Sequence, residues 1–197
     1  MRPSPGRDKV IWNRIRQGDE TALSELFLLS SEMLLGYGLS FHANRELVKD
    51  CIQDVFLSIW TRRSTLPPVS HLSFYLITAL RRQMLKQLKV RHVNLDPTHL
   101  SVDLTSPSSE EQQIEAENTN QQKYLLLKNL GELPQRQREI IYLRFYQGFS
   151  HDDICLIMQI KKQAAWNLLS RAIKKLESLM KNTYQGIPVL FLLQLFC

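Results

Sequence analysis

The sequence predicts an all-α fold: two small helical domains joined by a flexible linker, the C-terminal one built on a helix-turn-helix. Three observations predict it. Apolar residues recur at helical spacing along 8–90 and again along 122–181, with only seven glycines in 197 residues and few alternating β-branched runs. Between these stretches, residues 91–121 hold Pro97, the cluster from Thr105 to Ser109 and the Glu110-Glu111-Gln112-Gln113 tract, a composition too polar to bury a core. The segment from Leu133 to Leu176 carries the start and stop signals of two short helices followed by a longer one. With 44% hydrophobic residues the chain has enough apolar material for one core or two small ones.

The first domain, 8–90, reads as four helices over 9–17, 20 to about 39, 45–62 and 71–89. They are separated by Gly18-Asp19, by His42-Ala43-Asn44 and by Leu66-Pro67-Pro68. In the third helix Asp50, Gln53 and Asp54 share one side, while Cys51 or Ile52, Val55, Phe56, Ile59 and Trp60 share the other and belong to the core. In the fourth, Leu72, Leu76, Ala79 or Leu80, Met84 and Leu88 point inward. Arg81, Arg82, Lys86, Lys89 and Arg91 gather toward its end, where cations also complement the helix dipole. Phe74 and Tyr75 lie upstream of these charges. They suit the core, and they equally suit a stacking platform beside a basic groove, the arrangement that captures single-stranded DNA.

The second domain, 122–181, opens with a helical pattern near Lys123 to Leu130. Leu133-Pro134 then starts a helix at proline's fixed φ, with Ile140, Ile141, Leu143 and Phe145 as its apolar face and Gly148 as a left-handed stop near Gln147. Ser150 and Asp153 form a capping box that starts a two-turn helix at His151, with Ile154, Ile157 and Met158 turned inward. After a break at Gln159-Ile160-Lys161, a third helix runs to about Met180 on an apolar stripe of Ala165, Leu168 or Leu169, Ala172, Ile173 and Leu176. In a helix-turn-helix the N-terminal part of the second helix meets base edges while flanking cations hold phosphates. That assigns Lys162, Gln163, Trp166 and Asn167 to the groove and Lys161, Arg171, Lys174 and Lys175 to the backbone, with Ser170 on the same outer face.

A net charge of +6 favours an anionic partner such as nucleic acid or acidic lipid. Cys51, Cys155 and Cys197 are widely spaced and make neither a disulfide framework nor a zinc motif, so a reduced, cytoplasmic setting and no metal or cofactor are expected. The five histidines show no ligand spacing. With no carboxylate pair, phosphate loop or nucleophile elbow beside them, an enzyme is not expected, nor a small-molecule substrate. The tail, 182–197, is apolar from Ile187 onward but falls short of the roughly 20 residues that span a bilayer.

The motifs resemble a family. Leu133-Pro134, Arg138-Glu139, Gly148-Phe149-Ser150, Asp153-Ile154 and the run from Ser170 to Leu176 are similar to the C-terminal domain of bacterial RNA polymerase sigma factors of the extracytoplasmic-function type, in the sigma-70 family. Glu20 to Phe27, Lys49 to Trp60 and Tyr75 to Arg81 resemble that family's N-terminal helices, in the same order. The resemblance implies a transcription initiation factor that binds core RNA polymerase and promoter DNA and is held in check by an anti-sigma factor. It implies polymerase contacts at Asp50, Gln53 and Asp54, and melted-promoter contacts at Phe74, Tyr75, Arg81, Arg82, Lys86 and Lys89. The chain departs from the pattern in four places: Gln159 stands where the family often has glycine, Lys161, Trp166 and Leu168 stand where it often has a Ser-initiated recognition helix with later Lys and Arg, Arg82 replaces a common asparagine, and Lys49 replaces an acid. The family's base preference therefore does not transfer. The alternative is a dimeric helix-turn-helix regulator acting without polymerase, on half-sites about one helical turn apart.

Overall fold

Side-chain caps and prolines set the helix boundaries of the first unit. The protein is described from a computed structural model covering residues 5–92 and 129–180, which fall into two separately packed units. The tail and nearly all of the stretch expected as linker lie outside the described residues.

In unit 1, α1 spans Pro5–Arg16 and α2 spans Glu20–Phe41. Between them Gly18 takes φ 92°, a backbone conformation that favours glycine, and Asp19 caps α2 by accepting from the amides of Thr21 and Ala22. Asn44 caps α3, Arg45–Thr61, through its side-chain oxygen and the Leu47 amide. A short 3-10 turn, Arg63–Thr65, and Pro67-Pro68 follow, and α4 runs Leu72–His92, through Arg91 and His92 into the stretch expected to be linker. The buried Asp8 of α1 accepts from the Leu72 amide at 3.2 Å, so a residue far back in sequence caps α4.

The core of unit 1 sits around α2, which packs on α1, α3 and α4. Leu34, Tyr37, Phe41, Val48, Cys51, Ile59, Leu76, Ile77, Leu80 and Met84 are its buried centre. Both alternatives at Cys51 and Ile52 are buried. Leu80 fills the core where Ala79 is half-exposed, and Leu88 and Trp60 are half-buried at the edge. Among the described residues one helix, α2, is long and apolar enough to cross a membrane. Its Ser30 and Ser40 hydroxyls donate back to the carbonyls of Leu26 and Tyr37, which hides two polar groups inside the packed unit.

In unit 2, residues 129–131 are helical, and α5 spans Gln135–Ile141 after Pro134. The helix does not continue regularly to Gln147: Tyr142–Tyr146 widen into a π turn closed by the bond from the Gln147 amide to the Tyr142 carbonyl at 3.1 Å. Gly148 at φ 67° ends the run, and the Phe149 amide reaches the Leu143 carbonyl. The expected capping box is formed, Ser150 and Asp153 each bonding the other's backbone amide, at the head of α6, His151–Met158. Gln159 then adopts the left-handed conformation, φ 55° and ψ 52°, that glycine usually supplies, and α7 spans Lys162–Met180. Ile140, Ile141, Leu143, Ile154, Ile157, Ala165, Leu169, Ala172 and Leu176 form the core; Phe145, Leu168 and Ile173 lie half-buried at its margin.

Candidate nucleic-acid interface

Helix α7 separates its faces cleanly. With Ala165, Leu169, Ala172, Leu176 and Met180 buried, the 3.6-residue period leaves Lys161, Lys162, Gln163, Trp166, Asn167, Ser170, Arg171, Lys174 and Lys175 exposed together. Each helix-turn-helix residue expected to face DNA is exposed, Lys161 standing just before the helix and the others along it. Members of this set are organised by contacts that sequence spacing did not foresee. Lys162 Nζ pairs with Asp152 of α6 at 2.7 Å, which raises the Lys162 pKa through that bond, and Gln163 donates to Asn167 at 3.2 Å.

Trp166 is 57% exposed and lies on the His151 ring, with centroids 4.2 Å apart and planes 24° from parallel. The same imidazole places Nε2 3.2 Å from the Lys162 carbonyl. A carbonyl oxygen only accepts, so this bond puts a proton on Nε2. His151 and Asp152, at the first turn of α6, are thus part of the surface. Sequence reading filed His151 among scattered histidines, because no local spacing connects it to Trp166.

In unit 1 a groove of about 620 Å³ runs between α3, α4 and the Pro67-Pro68 segment, lined by Phe74, Tyr75, Arg62, Arg82, Gln83 and Lys86 among others. Tyr75 packs edge-on to Trp12 at 4.9 Å, and Trp12 Nε1 donates to the Pro67 carbonyl at 2.8 Å, so α1 braces both walls. Partial burial raises the Tyr75 pKa, while the positive charges of Arg62 and Arg82 act in the opposite sense. Phe74, Tyr75, Arg82 and Lys86 are therefore brought together; Lys89 is exposed further along α4. Arg81 is the correction. It is only 7% exposed, with its guanidinium 5.8 Å from the Phe41 ring centroid, and so belongs to the packed interior of unit 1 rather than to the groove lining. The spacing of Ile77, Arg81 and Met84 along the inner side of α4 was the available signal.

On α3, Asp50 and Gln53 are exposed. Asp54 is half-buried at the groove edge and accepts from Gln83 Nε2 at 2.6 Å. Leu57, 64% exposed, extends the Asp50–Gln53 stripe by one turn, and Phe27 of α2 packs edge-on to Phe56 of α3 at 5.1 Å. Neither apolar residue was singled out from sequence. Among the described residues no group of three His, Cys, Asp or Glu side chains is placed to hold a metal ion.

Residues 124–176 match the family model described as sigma-70, region 4. The chain is 24% identical to the RNA polymerase sigma factor NccH of Alcaligenes xylosoxydans xylosoxydans over 191 residues, 91% of this chain and 97% of that protein. Among solved structures it resembles CnrH, determined in complex with the cytosolic domain of CnrY, at a TM-score of 0.61 and 18% identity, covering 90% of this chain and 99% of that one. It likewise resembles the sigma factor RpoE, determined with the anti-sigma factor NepR from Bartonella quintana, at 0.61 and 22% identity, covering 82% of this chain and 98% of that one. These two likenesses bear on the fold. Residues 124–176 thus match sigma-70 region 4, and the chain along nearly its whole length is similar to an RNA polymerase sigma factor.

Proposed function

We propose that this chain is a sigma factor that binds core RNA polymerase and directs sequence-specific promoter recognition and transcription initiation. The observation that carries the reading is the outer face of α7: cations, amides and one indole held exposed on a helix whose opposite side is fully buried. Lys162, Gln163, Trp166 and Asn167 face base edges in duplex DNA, and Lys161, Ser170, Arg171 and Lys174 hold the flanking phosphates. In unit 1, the groove walled by Phe74 and Tyr75 and rimmed by Arg82 and Lys86, with Lys89 beyond, receives the melted strand. Its rings stack on bases while its cations meet phosphates. Asp50 and Gln53, with Asp54 at their edge, contact the polymerase. The work is binding and positioning in the cytoplasm rather than catalysis, with domains at 8–90 and 122–181. An anti-sigma factor is the expected antagonist, as NepR is for RpoE.

The test is reconstitution with core RNA polymerase, scoring co-purification and promoter-specific transcripts for wild type and the Asp50→Ala/Gln53→Ala variant. Polymerase-dependent transcripts that weaken in the variant support the assignment. Tight duplex binding by the free protein, with no association with polymerase, would replace it with a dimeric regulator.

A further inference from the structure

We propose that Trp166 and His151 act as one preformed apolar reader of the thymine 5-methyl group in the major groove, with His151 as the positioning residue and Trp166 as the contact. This rests on the reading of α7 as the duplex-facing helix. On the α7 surface around the indole, Lys162 is paired with Asp152 and Gln163 with Asn167. The indole has one face covered by the His151 ring, and more than half of its surface is open. Apart from Nε1 the indole ring is hydrocarbon, so its open surface offers apolar contact area to a base edge. Thymine is the base that presents a methyl group there.

His151 fixes the geometry. Its ring lies nearly parallel to the indole, and Nε2 bonds the Lys162 carbonyl at the first turn of α7, so the imidazole cannot slide along the helix without breaking that bond. A tryptophan on an exposed helix face otherwise samples several rotamers, and ordering it on DNA would cost conformational entropy. The stack meets that cost within the folded unit. The reader is therefore composite, with one ring from each helix of the helix-turn-helix.

The experiment uses the full chain with core RNA polymerase. A duplex library randomised across the upstream promoter element is selected for polymerase-dependent binding. The enriched sequence is then rebuilt with deoxyuridine in place of each thymidine, which removes the methyl group alone. Wild type should enrich thymine at one or two positions and lose about fourfold in affinity when one of them becomes uracil, the effect of one buried methyl. Trp166→Ala should bind thymine and uracil templates equally. His151→Ala should reduce the discrimination while retaining Trp166, and His151→Tyr, which keeps a stacking ring, should restore part of it. A purely structural role for His151 would lower binding to both templates alike and leave their ratio unchanged. An enriched sequence that is indifferent to uracil everywhere, or discrimination that survives Trp166→Ala, overturns the reader alone. A library that shows no sequence enrichment with polymerase overturns the duplex-reading assignment and the reader with it.

Discussion

The side-chain amide of Gln83 on α4 donates a 2.6 Å hydrogen bond to the Asp54 carboxylate on α3, joining two helices that wall the unit 1 groove. Asp54 therefore differs from Asp50 and Gln53, which point to solvent from the same helix. A part-buried bond to a charged acceptor contributes about 1.5–3 kcal/mol, so Asp54→Ala should lower the urea unfolding free energy of unit 1 by an amount in that range. Asp50→Ala/Gln53→Ala should leave it within about 0.5 kcal/mol, as surface changes do, while weakening polymerase association. Equal stability losses in both variants would contradict the distinction.

Helices α2 and α3 meet at Gly38, where a Cβ would overlap the Val48 side chain. The Val48 methyls are fully buried and branched at Cβ, so they cannot swing aside. Gly38→Ala should destabilise unit 1 by about 1–3 kcal/mol through overpacking. Adding Val48→Ala should recover part of that loss, giving a favourable coupling energy in a double-mutant cycle. Simple additivity of the two substitutions would place the close approach elsewhere.

Acid should loosen the start of α2. The Thr21 hydroxyl, the Ala22 amide and the Arg14 guanidinium hold the Asp19 carboxyl at about 2, below its ordinary 3.8. A depressed carboxyl contributes stability above its unfolded pKa and loses it as pH falls through the folded value. The contribution of Asp19 is therefore complete above about pH 4 and disappears toward pH 2. Thermal melts across that window should fall more steeply for wild type than for Asp19→Asn, which keeps a capping oxygen without the charge. Parallel slopes would remove Asp19 from the acid response.

Two residues hold the turn elements of the helix-turn-helix. Ser150→Ala removes the capping oxygen at the head of α6 and should cost about 1 kcal/mol. Gln159→Gly relieves a left-handed φ of 55° and should stabilise unit 2 by up to about 1 kcal/mol. Circular dichroism melts of the two variants should therefore shift in opposite directions.

Much of this architecture was legible because its signals are local. Gly18-Asp19, His42-Ala43-Asn44, Pro67-Pro68 and Gly148 are breakers and Ser150 is a capping residue, and each acts within a few residues of itself. The exposed side of α7 followed from period alone, because Ala165, Leu169, Ala172 and Leu176 recur at helical spacing. Arg81 was misplaced because the cations of α4 were grouped by proximity in sequence when helical phase decides which way each one points. The π turn at Tyr142–Tyr146 has no simple composition signal. The Asp54–Gln83 bond and the His151–Trp166 stack join different helices, so periodicity within one helix is blind to them. Asp8 capping α4 from α1 is the same case at longer range.

With α7 facing duplex DNA as proposed above, the pairing of Lys162 with Asp152 bears on how the protein would search a genome. An exposed ion pair is weak because solvent screens it, so a phosphate or base acceptor would displace Asp152 at little cost once it is correctly placed. Until then the aspartate partly neutralises the lysine and blunts the indiscriminate pull that DNA exerts on bare cations. On that reading, time on the wrong sequence would be shortened while the right one would lose little, a trade that favours rapid sampling over lingering.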